Sequence, residues 1–175
     1  MSHRHILRTK TGSQQQVRGL LTSIFTAELM SPSPQLFLVS AWIRDFQVLD
    51  NRGGSFRGLD PTWGRRTFRL AEVLRILIQR GSDVVIATNP DRGNRDFLDR
   101  IKNSLGESEE SRLRTLVLPQ LHVKGLVGAG YAVIGSMNFT NNGVENNDEL
   151  LTYETDPGKV AGLTVEFEQA YGGPA

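Results

Sequence analysis

The sequence predicts one α/β domain in which a mixed β-sheet carries helices on both faces. Two segments, Leu36–Ile43 and Asp83–Thr88, have the length and apolar density of strands buried on both sides. Between them, Phe68, Ala71, Leu74 and Ile78, with Val73 and Leu77 alongside, recur at helical spacing and stop at Gly81. Strand, helix, strand in that order implies a parallel pair joined by a right-handed crossover. Shorter strand-like segments and a final helix then extend the same sheet. A chain of 175 residues suits one domain, 1–175, with a real core.

The opening residues, 1–12, are polar and are expected to form a flexible tail. Ser13 with Gln16 has the pattern of a capping box, and Val17, Leu20, Leu21 and Ile24 share one stripe, so a helix is expected over 14–30. Ser31-Pro32-Ser33-Pro34 ends it. Residues 47–64 are rich in Gly, Asn, Asp and Pro and read as a long loop of the kind that often serves function. Asn94–Leu105 reads as a short helix through Phe97 and Ile101, and 107–112 as polar loop. Thr115–Leu118, His122–Gly128, Tyr131–Ser136 and Glu149–Tyr153 read as strands. Asp156 as N-cap and Pro157 behind it open a last helix with Val160, Leu163, Phe167 and Tyr171 on one face.

Composition narrows the class. Hydrophobic residues make up 38% and charged residues 22%, as in an ordinary globular protein. The absence of cysteine excludes disulfides and thiolate metal sites and favours a reducing compartment. Met1–His5 lacks the apolar core of a signal peptide and no run is long enough to span a bilayer, so the expectation is a cytoplasmic protein with no membrane partner. Net charge is +1, yet basic residues cluster: Arg52, Arg57, Arg65, Arg66, Arg69, Arg75 and Arg80 face only Asp60 and Glu72 in the same stretch. Such a cluster is either a solvated face or a surface for a polyanion.

The chemistry lies in residues 121–149. His122 and Lys124 are two apart, so on a strand both project from one face. Gly128-Ala129-Gly130 allows a tight turn, and the returning strand ends in Gly135-Ser136-Met137-Asn138. A hairpin of that length brings an imidazole, an ammonium, a hydroxyl and a carboxamide together. Ammonium and amide groups suit the non-bridging oxygens of a phosphodiester, and an imidazole can serve as nucleophile or general acid. Glu149, or alternatively Glu145 or Asp148, supplies a carboxylate able to orient a ring nitrogen of His122. Ser136 and Asn138 could equally be turn residues, with Ser136 serving to position Asn138.

These residues resemble the His-x-Lys…Gly-Ser-x-Asn signature of the phospholipase D superfamily, often called the HKD motif. The segments Leu36–Ile43, the helix ending at Arg80 and Asp83–Thr88 are also similar to the first strands and helix of the phospholipase D-like fold, so the resemblance covers most of the chain. It implies His122, Lys124, Ser136, Asn138 and Glu149 as catalytic residues, with a phosphohistidine intermediate and neither metal nor other cofactor. The family chemistry uses two histidines, and one motif per chain implies a homodimer with a shared active site. Small single-motif members are typically nucleases, which makes nucleic acid, DNA above all, the implied partner and Arg52, Arg57, Arg65, Arg66 and Arg69 implied phosphate-binding residues.

The chain departs from the family at Ala129, where the motif has Asp. That residue is thought to support the turn rather than to touch phosphate, so its loss bears on rigidity before chemistry. The overall shape resembles the phospholipase D-like components of bacterial deazaguanine DNA-modification and restriction clusters, which would add other proteins of a defence system as partners. The alternatives are a catalytically weak nucleic-acid-binding subunit and a phospholipid hydrolase. Trp42 and Trp63 are candidate groove residues, with core packing the simpler expectation for Trp42. Asn89 suits either the site or a turn, and His3 and His5 suit a tail.

Overall fold

The computed structural model describes residues 3–8 and 14–172. In chain order its elements are β1 (His3–Arg8), α1 (Gln14–Met30), β2 (Gln35–Val39), β3 (Gln47–Asp50), β4 (Thr67–Arg69), α2 (Leu70–Gln79), β5 (Asp83–Thr88), α3 (Arg92–Lys102), α4 (Glu107–Glu110), β6 (Leu113–Val117), β7 (Gly125–Gly128), β8 (Tyr131–Gly135), α5 (Asn141–Glu145), β9 (Glu149–Glu154) and α6 (Pro157–Tyr171). The expected mixed sheet is present, with seven strands in the order β1-β9-β8-β7-β2-β5-β6. β2, β5 and β6 run parallel, while β7, β8, β9 and β1 join antiparallel.

Both faces are covered, as the continuous apolar runs of β2 and β5 require. On one side α1, α2 and α3 bury Phe25, Leu29, Leu74, Leu77 and Phe97 against Leu36, Leu38, Val84 and Ile86. On the other, Phe167 and Tyr171 of α6 pack on Phe37, Val39, Val85 and Val127. Phe167 meets Phe37 and Tyr171 edge-on. The last helix starts as expected, with Asp156 accepting from the Gly158 and Lys159 amides. Among the described residues no helix is long and apolar enough to cross a membrane.

Three expectations need correction, the smallest being that Glu107–Glu110 form the short helix α4 rather than loop. Residues 3–8 are not a tail but an edge strand that pairs antiparallel with all of β9 and buries Ile6. The pairing satisfies backbone groups that a polar composition alone leaves unassigned. Residues 9–12, and Ser13 of the supposed capping box, lie outside the described residues. The stretch 47–64 is not a structureless loop: β3 pairs with β4, and between them a 3-10 turn at Pro61–Trp63 buries Trp63 against Phe68. Asn51, fully buried, holds this excursion by donating to the Gly64 carbonyl and accepting from the Phe56 amide.

Candidate active site

Strand register explains why residues far apart in sequence meet. Val39 of β2 pairs with Gly125 of β7, Gly125 with Ile134 of β8, and Gly135 with Leu151 of β9. The end of β2, the approach to β7, the end of β8 and the start of β9 therefore share one end of the sheet. A cavity of about 580 Å³ opens there, lined by His122, Lys124, Ser136, Asn138 and Trp42, with Leu163, Glu166 and Phe167 of α6 closing one side.

His122 and Lys124 precede the ladder rather than lying within it, since β7 starts at Gly125. They are not placed by strand alternation as the sequence suggested. His122 is exposed, whereas Lys124 is only 8% exposed and donates to the His122 carbonyl at 2.5 Å. Burial lowers the Lys124 pKa below that of an ordinary lysine, and the charge of Glu149 opposes this. If the ammonium must be charged to hold a phosphate, the alkaline limb of the pH–rate profile falls below that of a free lysine. Glu149→Gln removes the opposing charge, so the limb is expected to move to still lower pH; a pH–rate profile checks the direction.

Asn138 is held by its carbonyl oxygen, which accepts from the Ser40 hydroxyl at 3.1 Å and the Trp42 amide at 3.3 Å. Among the described residues its Nδ2 makes no hydrogen bond, and Asn138 lines the cavity. Ser40 is fully buried, lies close to the Trp42 carbonyl (2.9 Å) and accepts from the Phe139 amide. Among the described residues Ser136 makes no hydrogen bond to Asn138. Its hydroxyl donates to Glu149 at 2.5 Å and accepts from the Leu150 amide at 3.0 Å. Gly135, just before Ser136, is obligatory: its φ is +157°, and a Cβ there would collide with the Leu150 carbonyl oxygen.

Glu149 is buried behind Ser136, and among the described residues no hydrogen bond joins it to His122. Its place beside Lys124 and Ser136 nevertheless separates it from Glu145, which pairs with Arg18 on the surface. The five arginines proposed for phosphate binding do not line the cavity. Arg52 pairs with Asp50, Arg66 with Glu72 and Arg69 with Asp45, and Arg66 also covers the Phe68 ring. Arg57 and Arg65 are exposed. The β3–β4 ribbon thus uses much of its basic charge internally. Asn89 serves a turn, its carbonyl accepting from Asn94. His3 and His5 stack edge-on on β1, and His5 meets Thr152.

The turn at Ala129 has a support of its own. The Ala129 amide donates to the Ser33 hydroxyl at 2.8 Å, and both the Ser33 hydroxyl and amide donate to Glu28, at 2.6 and 2.8 Å. Glu28 is only 2% exposed. The backbone of Gly128 approaches so closely that a Cβ there would meet the Tyr131 ring, Glu28 and Ser33. A carboxylate from α1 thereby braces the turn from which the motif Asp is missing. Glu28→Ala leaves buried donors of Ser33 unmatched, at a cost of roughly 3 kcal/mol. A fall in Tm of roughly 6–12 °C is expected for a chain of this size, with Glu28→Gln intermediate; thermal unfolding followed by circular dichroism checks it.

Sequence reading missed Ser40, Glu166 and the α6 wall, and it placed Trp42 wrongly. Trp42 is 46% exposed at the cavity rim, whereas Trp63 is the core residue. The available signal was Ser40 itself, a polar residue inside an apolar strand run. Among the described residues no three His, Asp or Glu side chains converge as a metal site would need.

Comparison with known proteins bears on the fold and the family. The protein-family model described as "Cardiolipin synthase, PLD-like domain" matches residues 61–171. No curated protein matches the sequence. Similar solved structures include Nuc, a phospholipase D family member from Salmonella typhimurium, at 16% identity and a TM-score of 0.60, covering 96% of this chain and 92% of that one. NucT from Helicobacter pylori shows 15% identity and a TM-score of 0.58, covering 95% and 94%. TrmBL2, an archaeal chromatin protein with a novel mode of DNA binding, shows 12% identity and a TM-score of 0.55, covering 97% of this chain and 52% of its own. At these identities the likeness speaks for the fold, while the family match spans well over half of the chain and contains His122, Lys124, Ser136, Asn138 and Glu149: the chain belongs to the phospholipase D-like family.

Proposed function

We propose that this protein is a metal-independent phosphodiesterase that cleaves nucleic acid, DNA in the first place, as a homodimer whose two His122 side chains face one another. The observation that carries the reading is the single cavity wall on which His122, Lys124 and Asn138 meet. Lys124 and the Asn138 amide hold the non-bridging oxygens and offset the charge that grows on them. A ring nitrogen of one His122 attacks phosphorus, forming a phosphohistidine as the bond to the leaving oxygen breaks. The other His122 gives its proton to that oxygen. The same imidazole then takes a proton from water, which attacks the phosphohistidine, frees a phosphomonoester end and restores the first histidine.

A dimer suits the surroundings of His122. Val123, 46% exposed, sits beside it, and a second cavity of about 670 Å³ lined by Leu118, Pro119, Leu121 and Tyr171 adjoins it. Apolar surface of this kind beside an incomplete site favours a self-complementary contact. Place in a cytoplasmic restriction or defence system, alongside proteins that modify DNA, is part of the same reading. The absence of Asp at position 129 favours the alternative, a nucleic-acid-binding subunit without turnover; the Glu28–Ser33 brace weighs against it.

The test is incubation of single-stranded and duplex DNA with wild type and His122→Ala in the presence of EDTA, at a measured oligomeric state. Cleavage by wild type alone is the expected result. Equal cleavage by both proteins sinks the assignment, and turnover of phospholipid vesicles in place of DNA moves the substrate to lipid.

A further inference from the structure

Trp42 stands between two cavities. It lines the one that holds His122, Lys124 and Asn138, and also a neighbouring one of about 550 Å³ whose walls include Asn138, Thr140, Asn141, Asn142 and Asn147. Leaving so large an apolar ring 46% exposed forgoes burial energy that a core position would gain. Among the described residues no aromatic ring or guanidinium stacks on it. Its backbone is nonetheless fixed, with its amide donating to Asn138 and its carbonyl close to the Ser40 hydroxyl. The ring is therefore rooted in the same contacts that orient the amide at the reacting phosphate.

The second cavity has a distinct chemistry. Its walls include the short amides of Asn138, Asn141, Asn142 and Asn147. The Asn138 oxygen is held by Ser40 and the Trp42 amide, the Asn142 oxygen accepts from Asn146, and Asn147 Nδ2 lies 3.5 Å from Glu149. The wall thus presents a mixture of amide donors and acceptors of which part is already engaged. Its one guanidinium, Arg44, is committed to Asp91 at 2.7 Å and Asn94 at 2.9 Å. Paired amides suit a planar, edge-polar ring; an acyl chain would want apolar walls, and a further phosphate would want an available cation. A flat π face beside such a wall fits a nucleobase.

We propose that Trp42 stacks the base of a nucleotide next to the scissile phosphate, with the asparagine-lined cavity seating that base's polar edge. The base must be unpaired to lie there, so the substrate is single-stranded nucleic acid. This rests on the nuclease reading above and narrows it.

The experiment crosses two changes. Wild type, Trp42→Ala and Trp42→Phe are assayed on a short fluorescent oligodeoxyadenylate, on the same strand with abasic tetrahydrofuran units, and on its duplex. Stacking predicts that Trp42→Ala loses roughly 10–100-fold in kcat/KM on the base-bearing strand. Wild type loses a similar factor on the abasic strand, and combining both changes costs little more. Trp42→Phe keeps most of the activity, and duplex is a poor substrate. Equal cleavage of base-bearing and abasic strands by wild type overturns the proposal, as do losses that multiply, the sign that Trp42 merely props Asn138. Duplex cleaved as fast as single strand also overturns it. Wild type that cleaves no strand at all sinks the nuclease reading, and this proposal with it.

Discussion

Replacing His122 by alanine is expected to lower phosphodiester hydrolysis by at least ~10⁴-fold while leaving the fold unchanged. The size follows from the double duty proposed for the residue, since a symmetric dimer loses nucleophile and general acid together. Stability is spared because His122 is exposed and its ring takes no part in the core. Subunit mixing sharpens the test. Equal amounts of wild type and His122→Ala, allowed to exchange, should retain about a quarter of the activity, because one intact pair in four random pairings keeps both histidines. Retention of about half would mean that each chain works alone. The measurement is initial rate after exchange, with the oligomeric state followed by light scattering.

Asn138→Ala is expected to cost roughly 10²–10³-fold in kcat, the range for losing one fixed donor at a developing charge. The amide is held before substrate arrives, through the Ser40 hydroxyl and the Trp42 amide, so little reorganisation is needed at the moment of reaction. Asn138→Asp should be at least as damaging, since a carboxylate would repel the phosphate oxygens. Ser40→Ala should fall between wild type and Asn138→Ala, with kcat affected more than KM, because it frees the amide to rotate without removing it. A steady-state comparison of the three variants decides this; full kcat in Asn138→Ala would remove the amide from the chemistry.

Continuous apolar runs were enough to locate β2 and β5, and helical spacing to locate α1, α2 and α6, because in each the signal is local to the segment. The Gly-Ser-x-Asn end of the hairpin was legible for the same reason, its spacing being set by the turn. Other features were not. His3–Arg8 looks polar and free in sequence, since what orders it is a partner strand some 145 residues later. The β3–β4 ribbon looks like loop, since its hydrogen bonds come from the buried Asn51 rather than from periodicity. Charge clustering marked Arg52, Arg66 and Arg69, but charge in sequence does not reveal the carboxylate beside it in space.

Residue types and their spacing thus pointed by themselves to the fold class and to a hairpin that gathers His122, Lys124, Ser136 and Asn138, because a turn brings the two ends of a hairpin to one level; the resemblance to the family added Glu149 and the catalytic roles. Tertiary structure alone decided what holds them. It places Ser40 and the Trp42 backbone behind Asn138, sets Glu149 against Ser136 and beside Lys124, and brings Glu28 through Ser33 to the turn at Ala129. The reason is physical: apart from the local Ser33–Glu28 contact, these supports are hydrogen bonds and fields between groups 13 to about 100 residues apart, and a linear pattern carries no record of such distances until the sheet has closed them.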